Sequence, residues 1–279
     1  MPDTPSLFLF VPADRPERYA GAAASGADRV IIDLEDAVAP DRKSAARAML
    51  CEELQSAPAT ATPVLLRING IGTPWHADDL VAVSSLLRSG RLAGIMLPKA
   101  EAADDIETIR LTLGPGAMII ALVESAAGLA HAEEIACAAD RIAFGSIDFA
   151  ADIGCDHTSD ALLFARTRLV IAARVAQRDV PIDGVTRSIR DEDEIEHDAR
   201  YGASLGLKAK LLIHPAQIAP ARRGLSPTPA DLAWAERILA GSGDRGAVSV
   251  DGQMVDAPVI ARARQIRNDQ DRQSNRQTR

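Results

Sequence analysis

Short apolar runs alternate with longer stretches of helical spacing along most of this chain. The runs cover residues 7–11, 28–33, 64–68, 94–97, 118–123, 141–145, 180–184 and 209–213, are rich in Val, Ile and Leu, and are too short to stand alone as helices. They predict strands. Between them, residues 13–25, 42–54, 78–89, 103–113, 126–139, 160–177 and 191–206 carry apolar positions three and four apart and predict helices, with Pro16 in the first turn of the opening one. Eight strand-helix alternations with no run of consecutive strands predict an α/β fold, a (β/α)8 TIM barrel over residues 1–224. An open, doubly wound sheet is the second reading. Residues 225–267 predict a C-terminal helical and hairpin extension: a helix at 228–240, a flexible link at 241–246, a hairpin turning at Asp251-Gly252, and a helix at 259–267. The polar tail, 268–279, is predicted to be disordered.

The placement of polar residues favours the closed barrel over the open sheet. Glu35, Asp36, Arg67, Lys99, Glu124, Asp148, Asp183 and His214 each fall at or just past the C-terminal end of a predicted strand. In a barrel those ends converge on one mouth, whereas in an open sheet only those near the switch point can act together. Glu124 and Asp148 end adjacent strands beside small residues, Ser125-Ala126 after the first and Gly145-Ser146 before the second. Two hard oxygen ligands with room for water and substrate predict a Mg²⁺ site. Glu35 and Asp36 read either as acids that hold the metal's waters or as helix-start acids favoured by the dipole. Arg67 leaves an otherwise apolar strand; it predicts a bidentate grip on a substrate carboxylate, an internal ion pair with Glu35 or Asp36, or both. Arg67 and Glu124 are thus the candidate substrate-binding residues. Lys99 reads as an electrostatic residue of the site or a structural ion pair, His214 as a rim histidine, and Asp256, by its local sequence, as a turn residue.

Composition narrows the partners. With 279 residues, 47% hydrophobic and 25% charged, the chain can bury a sizeable core, and a net charge of −8 excludes the basic field that nucleic acid requires. Aromatic content of 3% also removes base-stacking platforms. No run reaches the length of a membrane span, and the opening residues carry acids and prolines where a signal peptide needs a basic start, so no membrane contact and a cytoplasmic location are expected. Cys51, Cys137 and Cys155 are scattered and suggest neither a disulfide frame nor a zinc site.

Several motifs are more specific than spacing. Leu9-Phe10-Val11-Pro12, Asp14-Arg15-Pro16-Glu17-Arg18, Asp33-Leu34-Glu35-Asp36-Ala37-Val38, Leu66-Arg67-Ile68-Asn69, Met96-Leu97-Pro98-Lys99, Leu122-Val123-Glu124-Ser125, Phe144-Gly145-Ser146-Ile147-Asp148 and Ile213-His214-Pro215 occur in that order over nearly the whole chain. Together they resemble the citrate lyase beta-subunit-like family of acyl-CoA lyases. The resemblance implies a (β/α)8 barrel assembled as homotrimers or hexamers, with Mg²⁺ held by Glu124 and Asp148, substrate bound by Arg67, and metal-bound water held by Glu35 and Asp36. It also implies that Gly252-Gln253-Met254-Val255-Asp256 reaches over a neighbouring subunit's mouth, with Asp256 as the catalytic acid/base beside Arg67.

The implied reaction is Mg²⁺-dependent cleavage or formation of a 3-hydroxy-acyl thioester such as citramalyl-, malyl- or citryl-CoA, with an acyl-CoA or acyl-carrier thioester and a 2-oxo acid as partners. A metal-dependent aldolase on free 2-oxo acids and a non-catalytic oxo-acid-binding homologue are the alternatives. One departure stands out: many members begin the first strand with Arg-Ser, whereas this chain has Pro5-Ser6-Leu7, which removes one basic residue that the resemblance would assign to the substrate.

Overall fold

The computed structural model describes residues 5–56, 62–242, 248–250 and 253–277. The predicted Asp251-Gly252 turn, most of the predicted link at 241–246, and the first four residues of the opening segment lie outside the described residues.

Eight parallel strands close into a barrel: β1 (Leu7–Pro12), β2 (Arg29–Asp33), β3 (Val64–Arg67), β4 (Gly94–Leu97), β5 (Met118–Val123), β6 (Arg141–Phe144), β7 (Ile182–Asp183) and β8 (Ala209–Leu212), with β8 pairing back onto β1. Closure rules out the open-sheet reading. The helices around it are α1 (Tyr19–Ala23), α2 (Lys43–Ser56), α3 (His76–Arg88), α4 (Ala103–Leu113), α5 (Ala126–Ala130), α6 (Ala132–Ala138), α7 (Ser146–Ile153), α8 (Leu163–Val175), α9 (Glu192–Leu205) and α10 (Ile218–Leu225). Alternation along each strand divides the burial. Phe8, Ile31, Leu65, Ile120, Ala143 and Leu211 fill the barrel's interior, while Leu9, Ile32, Leu66, Ala121, Ile142 and Leu212 pack outward beneath the helices.

Several elements depart from the sequence pattern for identifiable reasons. The predicted helix at 126–139 is interrupted at His131, which adopts φ −99° and ψ 18° and bonds its ring Nδ1 to the Glu101 carbonyl at 3.0 Å. The seventh strand narrows to Ile182–Asp183 because Pro181 cannot donate to a ladder. Apolar spacing does not predict the helix α7, although Gly145 and Gly154 bracket it and Gly154 closes it at φ 71°, a conformation only glycine adopts freely.

Past the barrel, α11 (Pro229–Ser242), the antiparallel pair β9 (Val248–Val250) and β10 (Gln253–Val255), and α12 (Ala257–Gln277) follow in order. Ala235, Ile238, Val255 and Ala263 form a small core of their own there. The last helix corrects the disordered tail expected at 268–279, since α12 continues to Gln277. No Gly or Pro falls within 268–277 to stop it, and Lys208 pairs with Asp269.

Candidate functional site

The strand register builds the site. Asp33 and Arg67 end β2 and β3 as directly paired neighbours, and the Arg67 fork closes on Asp33 with Nε donating to Oδ1 at 2.7 Å and Nη2 to Oδ2 at 2.6 Å. Asp33 also accepts the backbone N–H groups of Glu35 and Ala37, so both its oxygens are engaged. The remaining Arg67 nitrogen, Nη1, lies 2.9 Å from Glu35 Oε2 and 3.5 Å from Asp36 Oδ2. Both ion pairs expected of Arg67 are present. Asp33, the strongest partner of Arg67, is not marked by any local pattern in the sequence, because its role comes from the register of β2 with β3.

Lys99 joins two acids. It follows β4 at φ 49°, a left-handed backbone that a lysine seldom adopts. Its backbone N–H donates to Glu124 Oε1 at 2.7 Å, and its Nζ donates to Glu35 Oε1 at 2.6 Å. Burial pushes the Glu35 carboxyl above its ordinary value despite the pull of Arg67 and Lys99. A buried lysine, Lys43, also missed by spacing, donates to the Leu34 and Glu35 carbonyls and fixes that loop from below.

Glu124 follows β5 directly and is buried, and its Oε2 has no hydrogen-bond partner. Burial, then the charges of Glu35 and Asp148, push its carboxyl up to about 8. Asp148 stands in the first turn of α7, half-buried, so it leaves a helix N-terminus rather than the strand end itself. Between the two acids' supports lies Gly145, where a Cβ would strike the Glu124 carboxylate. Glu124, Asp148, Asp33, Asp36 and Arg67 line one mouth cavity of about 400 Å³. Among the described residues no cluster of three or more His, Cys, Asp or Glu side chains is arranged as metal ligands. The two-acid arrangement nevertheless fits a hard divalent cation: an orphaned buried carboxylate oxygen with a raised pKa is a position where added positive charge stabilises the fold, and Mg²⁺ binds through one or two carboxylates and keeps its waters.

Other predicted mouth residues go elsewhere. Asp183 turns outward into a buried network, accepting from Arg166 Nε at 2.9 Å and lying 3.8 Å from Lys210 Nζ, because alternation along a strand sends it away from the interior-facing Ile182. His214 is an exposed cap whose ring accepts from the Ala216 N–H. Asp256 precedes α12, where its carboxylate accepts the Val259 N–H at 3.3 Å, and it is not among the residues lining this chain's mouth cavity. The absent N-terminal arginine also loses its significance. Ser6 precedes β1 at the closed end of the barrel, where Asp28 accepts its hydroxyl, while Pro12 reaches the mouth, roughly 20 Å away for a strand of this length.

The sequence profile of the HpcH/HpaI aldolase/citrate lyase family matches residues 6–215. A citrate lyase subunit beta-like protein of Mycobacterium tuberculosis is 38% identical over 92% of each chain. An L-malyl-CoA/beta-methylmalyl-CoA lyase of Cereibacter sphaeroides is 34% identical over the same share of both. Among solved structures, CitE of M. tuberculosis in complex with magnesium, acetoacetate and coenzyme A superposes with a TM-score of 0.84 at 36% identity, covering 96% of this chain and 99% of that one. No helix among the described residues is long and apolar enough to cross a membrane.

Proposed function

The chain belongs to the HpcH/HpaI aldolase/citrate lyase family, and on that premise we propose that it is a Mg²⁺-dependent carbon–carbon lyase acting on a 3-hydroxy-acyl thioester of the citramalyl-, malyl- or citryl-CoA type, releasing or condensing acetyl-CoA and a 2-oxo acid. The observation that carries this reading is the buried, unpartnered Glu124 Oε2, in one cavity with Asp148 and with its carboxyl pushed up to about 8.

Glu124 and Asp148 would hold the metal, which when bound supplies a Lewis acid and a template for the oxo acid's carboxylate and carbonyl oxygens. Glu35 and Asp36 flank that position and would accept hydrogen bonds from water retained there. Lys99 fixes Glu124 by one oxygen and leaves the other free. In the cleavage direction the substrate hydroxyl gives up its proton to a base and its oxygen becomes the oxo acid's carbonyl, while the carbon–carbon bond breaks and its electron pair passes to the thioester carbonyl, giving an enolate. Arg67 is locked by Asp33 and turns its Nη1 edge toward Glu35 and Asp36, so its guanidinium contributes fixed positive charge without reorganising. A carboxylic acid must then deliver a proton to the enolate carbon. We assign that step to Asp256 of a neighbouring subunit, since in its own chain Asp256 caps α12, and we read the assembly as a homotrimer or hexamer.

Assaying citramalyl-, malyl- and citryl-CoA with Mg²⁺ and with chelator tests the reading: at least one should yield acetyl-CoA only with the metal. Turnover of free hydroxy acids without any thioester would favour the aldolase alternative. Mixing Asp256→Asn with Glu124→Gln subunits should restore part of the activity that each lacks; inactive mixed oligomers would place the acid elsewhere.

A further inference from the structure

The mouth cavity has two unlike halves. Strands β2, β3, β5 and the start of α7 supply Asp33, Asp36, Arg67, Glu124 and Asp148. Opposite them, Phe10, Val185, Leu211 and Ile213 form an apolar wall from β1, β7 and β8 over a floor that includes Leu122 and Phe144. The halves meet at Arg67, whose guanidinium lies against the Phe10 ring at 4.9 Å.

Charge in this cavity is already committed. Arg67 is the one Lys, Arg or His among its described lining residues, against four acids, and its nitrogens are taken up by Asp33, Glu35 and Asp36. A single divalent cation would leave the lining acids in excess even before a carboxylate arrives. The first carboxylate of an oxo acid is drawn in by that cation. A second would have to shed its water against an apolar wall, with the one cation among the described lining residues already paired, an arrangement proteins avoid because an unpaired buried charge is costly. An alkyl group in the same place gains about fourfold in affinity per buried methylene.

We propose that this apolar half selects the oxo-acid partner, taking a 2-oxo monocarboxylate that carries a short alkyl group in preference to a dicarboxylate or to the bare hydrogen of glyoxylate. The proposal rests on the lyase reading above and names the substrate class of the same site. Leu122 and Leu211 belong to the packed interior of the barrel, so the wall continues a floor that accommodates a small group, while a long thioester arm must leave over the rim.

Calorimetric titration of the full chain in Mg²⁺ with pyruvate, 2-oxobutyrate, glyoxylate and freshly dissolved oxaloacetate tests this without turnover. Pyruvate should bind about fourfold more tightly than glyoxylate, 2-oxobutyrate at least as tightly as pyruvate, and oxaloacetate at least about tenfold more weakly. Ile213 is 41% exposed, so Ile213→Arg adds a cation to the wall without burying one, and it should narrow or invert the pyruvate-to-oxaloacetate ratio; Val185→Arg, on the loop after β7, is the second variant. Oxaloacetate binding as tightly as pyruvate, or an unchanged ratio in both variants, overturns the proposal and leaves the lyase reading standing. Failure of every oxo acid to bind in Mg²⁺ overturns the lyase reading, and the proposal with it.

Discussion

Two charged clusters sit within one barrel and have opposite character. The mouth gathers five acids (Asp33, Glu35, Asp36, Glu124 and Asp148) around two cations, Arg67 and Lys99. Between β7, β8 and the outer helices, Arg166 and Lys210 face Asp183 and Asp198, two charges against two. Carboxyls respond accordingly. At the mouth, burial pushes Glu35 and Glu124 up, whereas in the outer network Lys210, Thr186 and Arg166 hold Asp198 below its ordinary value despite burial. Charges that balance inside a protein hold elements together. Charges left in surplus are maintained against the fold's own stability and mark where something else binds.

Exchanging one member of each cluster should separate these roles, and this is the largest effect expected. Glu124→Gln should cost more than about 100-fold in Mg²⁺-dependent turnover, beyond the range seen for residues that merely support a metal ligand. In chelator it should unfold no more readily than the parent, because a neutral amide can still accept the Lys99 N–H. Arg166→Met should do the reverse, costing about 3–5 kcal/mol in denaturant unfolding by stranding Asp183 in the interior, while the folded fraction keeps its Mg²⁺ affinity. If both variants lose stability equally and neither loses metal, the division into working and structural clusters is wrong.

The next effect is a pH dependence confined to the mouth. Glu124 in the folded, metal-free chain titrates near 8 against an ordinary value of 4.5, so across that window the folded state keeps a proton that the unfolded chain has released. Metal-free stability should therefore fall as pH rises through the window, by at most about 1.4 kcal/mol per unit, and level off above it. Mg²⁺ must displace that proton, so below pH 8 its apparent affinity should rise up to about tenfold per unit of pH. Calorimetry in buffers of different ionisation heat measures the release directly. No proton released at pH 7, or the same slope in Glu124→Gln, would contradict it.

The contrast also explains what could be read in advance. Short apolar runs locate all eight strands, and strand-end acids locate Glu124, because both are local signals that the barrel merely gathers. Asp183 misleads because its position at a strand end says nothing of which way its side chain points, and in a strand two residues long the pattern holds no alternation to decide it. Asp33 was passed over for a different reason. Its role arises from register with Arg67 across 34 residues, a match that the pairing of β2 with β3 creates and no local pattern displays. The outer network was illegible for the same cause, since Arg166 and Asp198 come from helices whose partners are set by packing.

The smallest effect concerns strain, which the two clusters also distribute unequally. Lys99 and Gln177 are the non-glycine residues with positive φ among those described, and none of the four charged residues of the outer network shares that conformation. At Lys99 the left-handed backbone turns its N–H toward Glu124 while the side chain reaches Glu35, so one residue fixes both acids at the cost of an unfavourable torsion. Replacing it by alanine or by glycine removes the same ammonium and differs only in how the backbone tolerates φ 49°. Lys99→Gly should therefore unfold at higher denaturant than Lys99→Ala by about 1 kcal/mol, the reverse of the usual order for these two residues. Equal stabilities, or alanine the more stable, would mean that the strand end relaxes to an ordinary torsion once the lysine is gone, and that its side-chain bond to Glu35, rather than the barrel, holds the N–H on Glu124.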